Sequence, residues 1–159
     1  MKRVDVHVRG AGAVGSCLAL ALSRQGLSVA LQGAARADVP PRDDVRAYAL
    51  NAASVQLLRE LKVWEALPAD ARCAVYDMHV EGDAAGSALD FSAWSQGVEA
   101  LAWIVDAAEL ERVLASAVSF APHVQCVGSD EVQAPLHALA EGKASSTRGQ
   151  LGVAMPVHR

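Results

Sequence analysis

The chain has 159 residues, of which 52% are apolar, and a formal net charge of −4. Its length alone predicts a single compact domain with a substantial core. The 14 Lys and Arg residues are scattered along an acidic chain, which argues against nucleic acid as a partner. No apolar run approaches the ~20 residues of a transmembrane segment. The three cysteines are widely spaced, which indicates reduced thiols, so we expect a cytoplasmic protein.

The N-terminal part of the chain predicts a βαβ unit. Residues 3–9 alternate valine with polar residues, which is the period of a strand. Residues 13–25 are rich in Ala and Leu and end before a glycine, as a helix does, and residues 27–31 predict the second strand. The polar face of the first strand, which includes His7 and Arg9, indicates an incompletely covered sheet or polar partners. A right-handed crossover of this kind places the chain in the α/β class.

The rest of the chain predicts helices around an antiparallel segment. A helix is expected over residues 52–67 after a potential cap. Short β-like runs separated by glycines predict an antiparallel insertion at residues 73–105. Asp106 is placed to cap a further helix that ends near residue 118. We therefore assign residues 1–72 and 106–159 to one α/β domain that carries this insertion.

The sequence GAGAVG, at residues 10–15, has the G-x-G-x-x-G spacing of a dinucleotide-binding loop. It follows the first strand and opens the first helix. In such a loop Gly10 makes the tight turn, Gly12 lets the backbone approach a pyrophosphate, and Gly15 lets helix and strand pack closely. The backbone N–H groups at the helix start, around Ala13 and Val14, favour an anion. A purely structural role of the glycines in tight packing is the alternative.

The end of the second strand does not identify the dinucleotide. The motif expects a carboxylate about 20 residues after the loop to bind the adenosine ribose, and this chain has Gln32 followed by Gly33. Gln32 can accept a hydrogen bond but lacks the charge that strengthens it. Neither position holds an arginine that would bind the 2′-phosphate of NADP. The motif by itself leaves the cofactor open.

Four longer segments are more specific than the loop. They are GAGAVGSCLALALSRQGLSVAL, DDVRAYALNAASVQLLRELKVWEAL, MHVEGDAAGSALDFSA and ALAWIVDAAELERVL. In this order and spacing they resemble the N-terminal part of the flavin-dependent aromatic monooxygenases, and among these the ubiquinone-biosynthesis hydroxylases. The most specific piece is RAYALNAAS. The resemblance implies a Rossmann-like FAD-binding fold, a parallel sheet with flanking helices, in which the antiparallel β insertion forms a substrate-side layer.

The resemblance also implies which residues contact FAD. Besides the loop and Gln32, it places Arg46 beside the flavin; the alternative for Arg46 is a solvated loop charge. Residues 140–148 match the family's Ala-Asp-Gly-x-x-Ser-x-x-Arg segment, with Glu141 in place of Asp and with Gly142 retained. The alternative for this segment is a glycine turn before a helix that a serine caps. The five histidines are dispersed, and we expect no metal site and no catalytic acid or base.

The resemblance implies a function in aromatic hydroxylation, with a small aromatic substrate, a ubiquinone precursor being favoured. Reduced nicotinamide, NAD(P)H, would be the reductant. Family members are more than twice as long as this chain, so we expect it to be the N-terminal part, with residues 106–159 a truncated remainder of the FAD-binding domain. Two alternatives stay open: an NAD(P)-binding reductase, and a non-catalytic Rossmann-like domain that forms a homodimer or binds a partner chain.

Overall fold

The computed structural model describes residues 2–33, 45–84, 86–128, 132–143 and 145–154. The strands are, in chain order, β1 (Lys2–Arg3), β2 (Val6–Arg9), β3 (Val29–Gln32), β4 (Ala47–Leu50), β5 (Arg72–Val75), β6 (Asp77–Glu81), β7 (Ala88–Ser92), β8 (Ala102–Asp106), β9 (Val124–Val127), β10 (Val132–Gln133) and β11 (Leu136–Leu139). The α-helices are α1 (Ala13–Arg24), α2 (Ala52–Glu60), α3 (Ala93–Gln96), α4 (Ala107–Ser119) and α5 (Ser146–Gln150). The chain forms two compact units, Met1–Pro40 with Leu114–Arg159, and Pro41–Val113.

The first unit contains a parallel sheet in the order β11-β2-β3-β9, and β1 pairs in parallel with β10. Helix α1 packs on β2 and β3. Its buried residues include Gly15, Ala19 and Leu20, whose spacing places them on one helical face. The α/β class, with a parallel sheet and flanking helices, is confirmed.

Two predicted elements are shorter in the structure. The strand expected over residues 3–9 is interrupted near Asp5, whose carboxylate accepts hydrogen bonds from the Ser28 backbone N–H at 2.8 Å and from its hydroxyl at 2.6 Å. The helix expected over residues 52–67 ends at Glu60, because Lys62 has a φ of 62°. A left-handed backbone conformation cannot continue an α-helix.

The second unit contains an antiparallel sheet in the order β4-β8-β5 and a separate hairpin of β6 and β7. The antiparallel strands expected in residues 73–105 are therefore present. The sequence did not predict β4, which joins this sheet through β8. Trp64 packs edge-to-face on Trp103 with ring centroids 5.2 Å apart. The predicted domain boundaries after residues 72 and 105 stay a prediction.

Side-chain caps start helices α2 and α4. The Asn51 side chain accepts a hydrogen bond from the Ser54 N–H at 2.9 Å, and that of Asp106 accepts one from the Glu109 N–H at 3.0 Å. The Glu109 carboxylate does not complete a reciprocal capping box; it binds the Arg112 guanidinium at 2.8 and 3.0 Å. Of the helices that the structure describes, none has the length and apolar character needed to cross a membrane.

Candidate cofactor-binding site

Two of the three loop glycines are required by packing within the chain. Gly10 has a φ of 106°, and a Cβ there would lie 2.3 Å from the Ala140 carbonyl oxygen. A Cβ on Gly15 would lie 1.8 Å from the Gly10 carbonyl oxygen. Both distances are far below van der Waals contact. Gly10 and Gly15 therefore allow the turn, the end of β11 and the start of α1 to pack together.

Gly12 differs from these two glycines. Its φ of −69° and ψ of −175° are open to any residue, and a Cβ there would meet nothing within 4 Å. Neither backbone strain nor packing in the described chain explains glycine at this position. Glycine is accepted at the N-cap of a helix, and here it leaves the backbone at the helix start open to a group outside the chain. Gly12 thus leaves open space beside the start of α1.

The start of α1 offers hydrogen-bond donors beside Gly12. The helix begins at Ala13 with Gly12 as its N-cap, and the first intrahelical hydrogen bond runs from the Ser16 N–H to the Gly12 carbonyl at 2.9 Å. The preceding N–H groups have no partner within the helix. Val14 is 73% exposed, and no acidic residue lies in the first turn. This helix start is suited to an anionic group such as a pyrophosphate.

Gln32 lies beside the loop, at the end of β3. Its carbonyl accepts a hydrogen bond from the Gly10 N–H at 2.9 Å, and Arg9 is its register partner on β2. Gly33 follows with a φ of 87°, and a Cβ there would lie 3.9 Å from the Ala11 nitrogen. The structure therefore brings Gln32 to the position at which the motif expects the ribose carboxylate. The amide side chain makes this position neutral.

Glu141 follows the end of β11 and accepts hydrogen bonds from the first turn of α5. The Ser145 hydroxyl donates to Glu141 Oε2 at 2.6 Å, and the Thr147 hydroxyl donates to Oε1 at 3.0 Å. Arg9 Nε lies 3.3 Å from Oε1 as an ion pair. The Ser145 hydrogen bond is the main reason that the pKa of Glu141 is lowered. The carboxylate thus links the end of β2, directly before the loop, to the start of α5.

The sequence had pointed to part of this region. Ser145 caps α5 by accepting a hydrogen bond from the Arg148 N–H at 3.1 Å, as one alternative predicted. Gly142 has a φ of 74°, which favours glycine in the turn. The roles of Arg9 and Thr147 were not predicted. The position of Arg9 on the polar face of β2, one residue before the loop, was the only signal for it.

Arg46 belongs to the second unit and directly precedes β4. Its side chain is 62% exposed and lies 3.7 Å from the Glu111 carboxylate, which also accepts a hydrogen bond from the Tyr48 hydroxyl at 3.0 Å. The Arg46 carbonyl accepts the N–H of Ala107 at 3.1 Å. An arginine held at both its backbone and its side chain is suited to binding an anionic or carbonyl group, and its contact with FAD stays a prediction.

Comparison with known proteins identifies the family. A family model described as an FAD binding domain matches residues 3–158. The 3-demethoxyubiquinol 3-hydroxylase of Escherichia coli is 33% identical over 125 residues, which are 76% of this chain and 31% of that protein. Among the solved structures, PqsL, a probable FAD-dependent monooxygenase from Pseudomonas aeruginosa, has a TM-score of 0.75 at 19% identity, over 99% of this chain and 48% of its own. The p-nitrophenol 4-monooxygenase PnpA from Pseudomonas putida has a TM-score of 0.72 at 16% identity, over 96% and 44%.

The chain therefore belongs to the FAD-binding domain family that flavin-dependent monooxygenases contain. It spans about a third of the curated relative and about half of the two solved structures. The resemblance inferred from the sequence is confirmed, and the low identity to the solved structures supports the fold alone. Within the described residues no group of three or more His, Cys, Asp or Glu side chains is arranged to hold a metal ion.

Proposed function

We propose that this chain binds FAD through its glycine loop, as the nucleotide-binding part of a monooxygenase that hydroxylates an aromatic ring. The observation that carries the proposal is Gly12. Its Cβ position is open, its backbone is unstrained and it caps α1 between β2 and the helix, so a phosphate can approach the backbone closely there. The helix start beside it donates N–H groups and carries no opposing acid.

Each nominated residue has a role in holding the cofactor. We assign the pyrophosphate to the backbone of Gly10, Gly12, Ala13, Val14 and Gly15, and the adenosine ribose to Gln32. The Arg46 side chain and the Glu141–Gly142 turn are further proposed contacts. When bound, FAD supplies the redox chemistry that couples NAD(P)H oxidation to hydroxylation by oxygen. The residues of this chain bind and orient the cofactor, and none is assigned as a catalytic acid or base.

The substrate class is proposed from the family. One relative is named as a ubiquinol hydroxylase and one solved structure as a nitrophenol monooxygenase. A small aromatic ring is common to both names, and we favour a ubiquinone precursor because of the sequence relative. A location in the cytoplasm stays a prediction.

Titration with FAD tests the proposed cofactor. We expect the purified chain to quench FAD fluorescence with a dissociation constant in the micromolar range, about −8 kcal/mol. NADH and NADPH, titrated under the same conditions, are expected to bind more weakly than FAD. Tight nicotinamide binding without FAD binding would instead support the NAD(P)-binding reductase. No FAD binding at millimolar concentration would contradict the proposal for this chain.

The β6–β7 hairpin favours a second candidate function, association with another chain. Its cross-strand pairs Met78 with Phe91 and Val80 with Leu89 place four apolar side chains on one face, and each is 42–62% exposed. The opposite face carries charged side chains such as Asp90. A two-stranded ribbon is marginally stable by itself in water. This surface therefore suits a homodimer contact or a partner chain, which is the non-catalytic alternative.

Replacing both Leu89 and Phe91 with Ser tests the association. We expect the native chain to sediment as a species larger than a monomer, and the double variant to sediment as a monomer, because the exposed apolar area of the hairpin is reduced. Leu151→Ser, at another exposed leucine, is the matched control and should associate as the native chain does. A native chain that is monomeric at high micromolar concentration excludes self-association through this surface.

A further inference from the structure

His7 and His137 form a pair at the centre of the β2–β11 contact. They are register partners on the two strands, and their Nδ1 atoms lie 3.1 Å apart. The rings pack edge-to-face with centroids 5.2 Å apart. His7 is only 6% exposed, whereas His137 is exposed. A hydrogen bond between two Nδ1 atoms needs one proton, so one ring donates and the other accepts.

The number of protons decides whether this pair can persist. With one ring protonated, the charged ring still donates and the neutral ring still accepts. With both rings protonated, two N–H groups face each other and two positive charges lie in contact, so the hydrogen bond is lost. Charging both rings places a positive charge on the buried ring of His7. Double protonation is therefore incompatible with the observed geometry.

The other groups around His7 do not offset a second charge. Arg9, two residues further along β2, adds a positive charge to the same face, and its own ion pair is with Glu141. On β3 the neutral side chain of Gln32 raises the pKa of His7, but this effect is smaller than the lowering by burial. His7 Nε2 is buried and has no hydrogen-bond partner among the described residues. Burial, and next the charge of His137, lower the pKa of His7.

The strand that carries His137 also shapes the glycine loop. Three residues after His137, the Ala140 N–H donates to the Arg9 carbonyl at 2.7 Å. The Ala140 carbonyl lies where a side chain on Gly10 would be. If β11 separates from β2, the glycine loop loses the packing of Gly10 against the Ala140 backbone. The protonation state of the histidine pair is thus linked through β11 to the proposed cofactor site.

We propose that the His7–His137 pair is a pH-sensitive latch, in which protonation of both rings releases β11 from β2 and loosens the glycine loop. The effect on FAD rests on the proposed function, whereas the release of β11 does not. In the released state His7 is solvated and regains an ordinary pKa near 6.5. The released state then binds more protons than the closed state once the pH falls below about 6.5. Acidification therefore favours release, and neutral pH favours the closed strand.

Amide hydrogen exchange of β11 tests the latch. After correction for intrinsic exchange rates, we expect the opening equilibrium at Ala138 and Ala140 to rise by up to about fivefold as the pH falls from 6.5 to 5.5, because the released state takes up a proton on His7 in this range. The antiparallel pair of β4 and β8 should not show this slope. The His7 ring should titrate below pH 6.5 in NMR spectra. A His7 ring that titrates at or above 6.5, or equal slopes in both sheets, would overturn the proposal.

Two variants and a control assign the effect to the pair. His7→Gln is expected to abolish the pH slope of β11, and His137→Gln to weaken it because the like charge is removed. His79→Gln, on the β6–β7 hairpin, should leave the slope unchanged. Should His7→Gln fail to fold, a native pH profile in His137→Gln still contradicts the latch. In the native chain the affinity for FAD should fall as the pH falls over the same range. Absence of FAD binding at every pH would reject the proposed function, and the latch would then be tested by amide hydrogen exchange alone.

Discussion

Replacing Gly12 with Leu is expected to weaken FAD binding about 100-fold while the chain stays folded. The Cβ of residue 12 points into space that no described residue occupies, so the larger side chain meets the cofactor and not the protein. Crowding of this kind costs about 1–3 kcal/mol, and 1.4 kcal/mol is tenfold in affinity. Loss of the glycine N-cap should lower the free energy of unfolding by less than about 1 kcal/mol. FAD fluorescence titration and thermal unfolding measure the two quantities.

Gly149→Leu is the matched control for this variant. A Cβ on Gly149, in α5, also meets nothing within 4 Å. This variant should bind FAD as the native chain does. Native affinity in the Gly12 variant would place the cofactor elsewhere and remove the main support for the proposed function.

The opposite result is expected for Gly15→Ala, which should destabilise the first unit before any cofactor is added. The new Cβ would lie 1.8 Å from the Gly10 carbonyl oxygen and 3.3 Å from the Ala140 Cβ. The backbone of the turn cannot move aside without separating α1 from β2. We expect a loss of about 3 kcal/mol or more, which lowers the melting temperature by roughly 10 °C.

Gly12→Ala, which adds the same methyl group to an open position, is the control for Gly15→Ala and should melt within about 3 °C of the native chain. Circular dichroism follows both variants without FAD. If the two variants melt at the same temperature, the distinction between packing glycines and the binding glycine is wrong.

Several features could be predicted because they depend on residues close together in the sequence. The alternation of valines before the loop, the caps at Asn51 and Asp106, and the spacing of Gly10, Gly12 and Gly15 are of this kind. Hydrogen bonds and packing over three to five residues are sufficient to produce them. The spacing could not show which of the three glycines is needed for packing and which leaves open space. That difference depends on the atoms that a Cβ at each position would meet, and these include Ala140, which is distant in sequence.

The sequence by itself thus determined the βαβ start, the glycine loop and, through its longer segments, the family. Only the tertiary structure decided which side chains meet across the sheet. His7 and His137 are 130 positions apart, and Arg9, on β2, is similarly distant in sequence from Glu141, which follows β11. They come together because β11 pairs with β2 in one register, and a shift by one residue would turn His137 to the other face. Strand register is set by the packing of the whole sheet, and no local pattern in either strand specifies it.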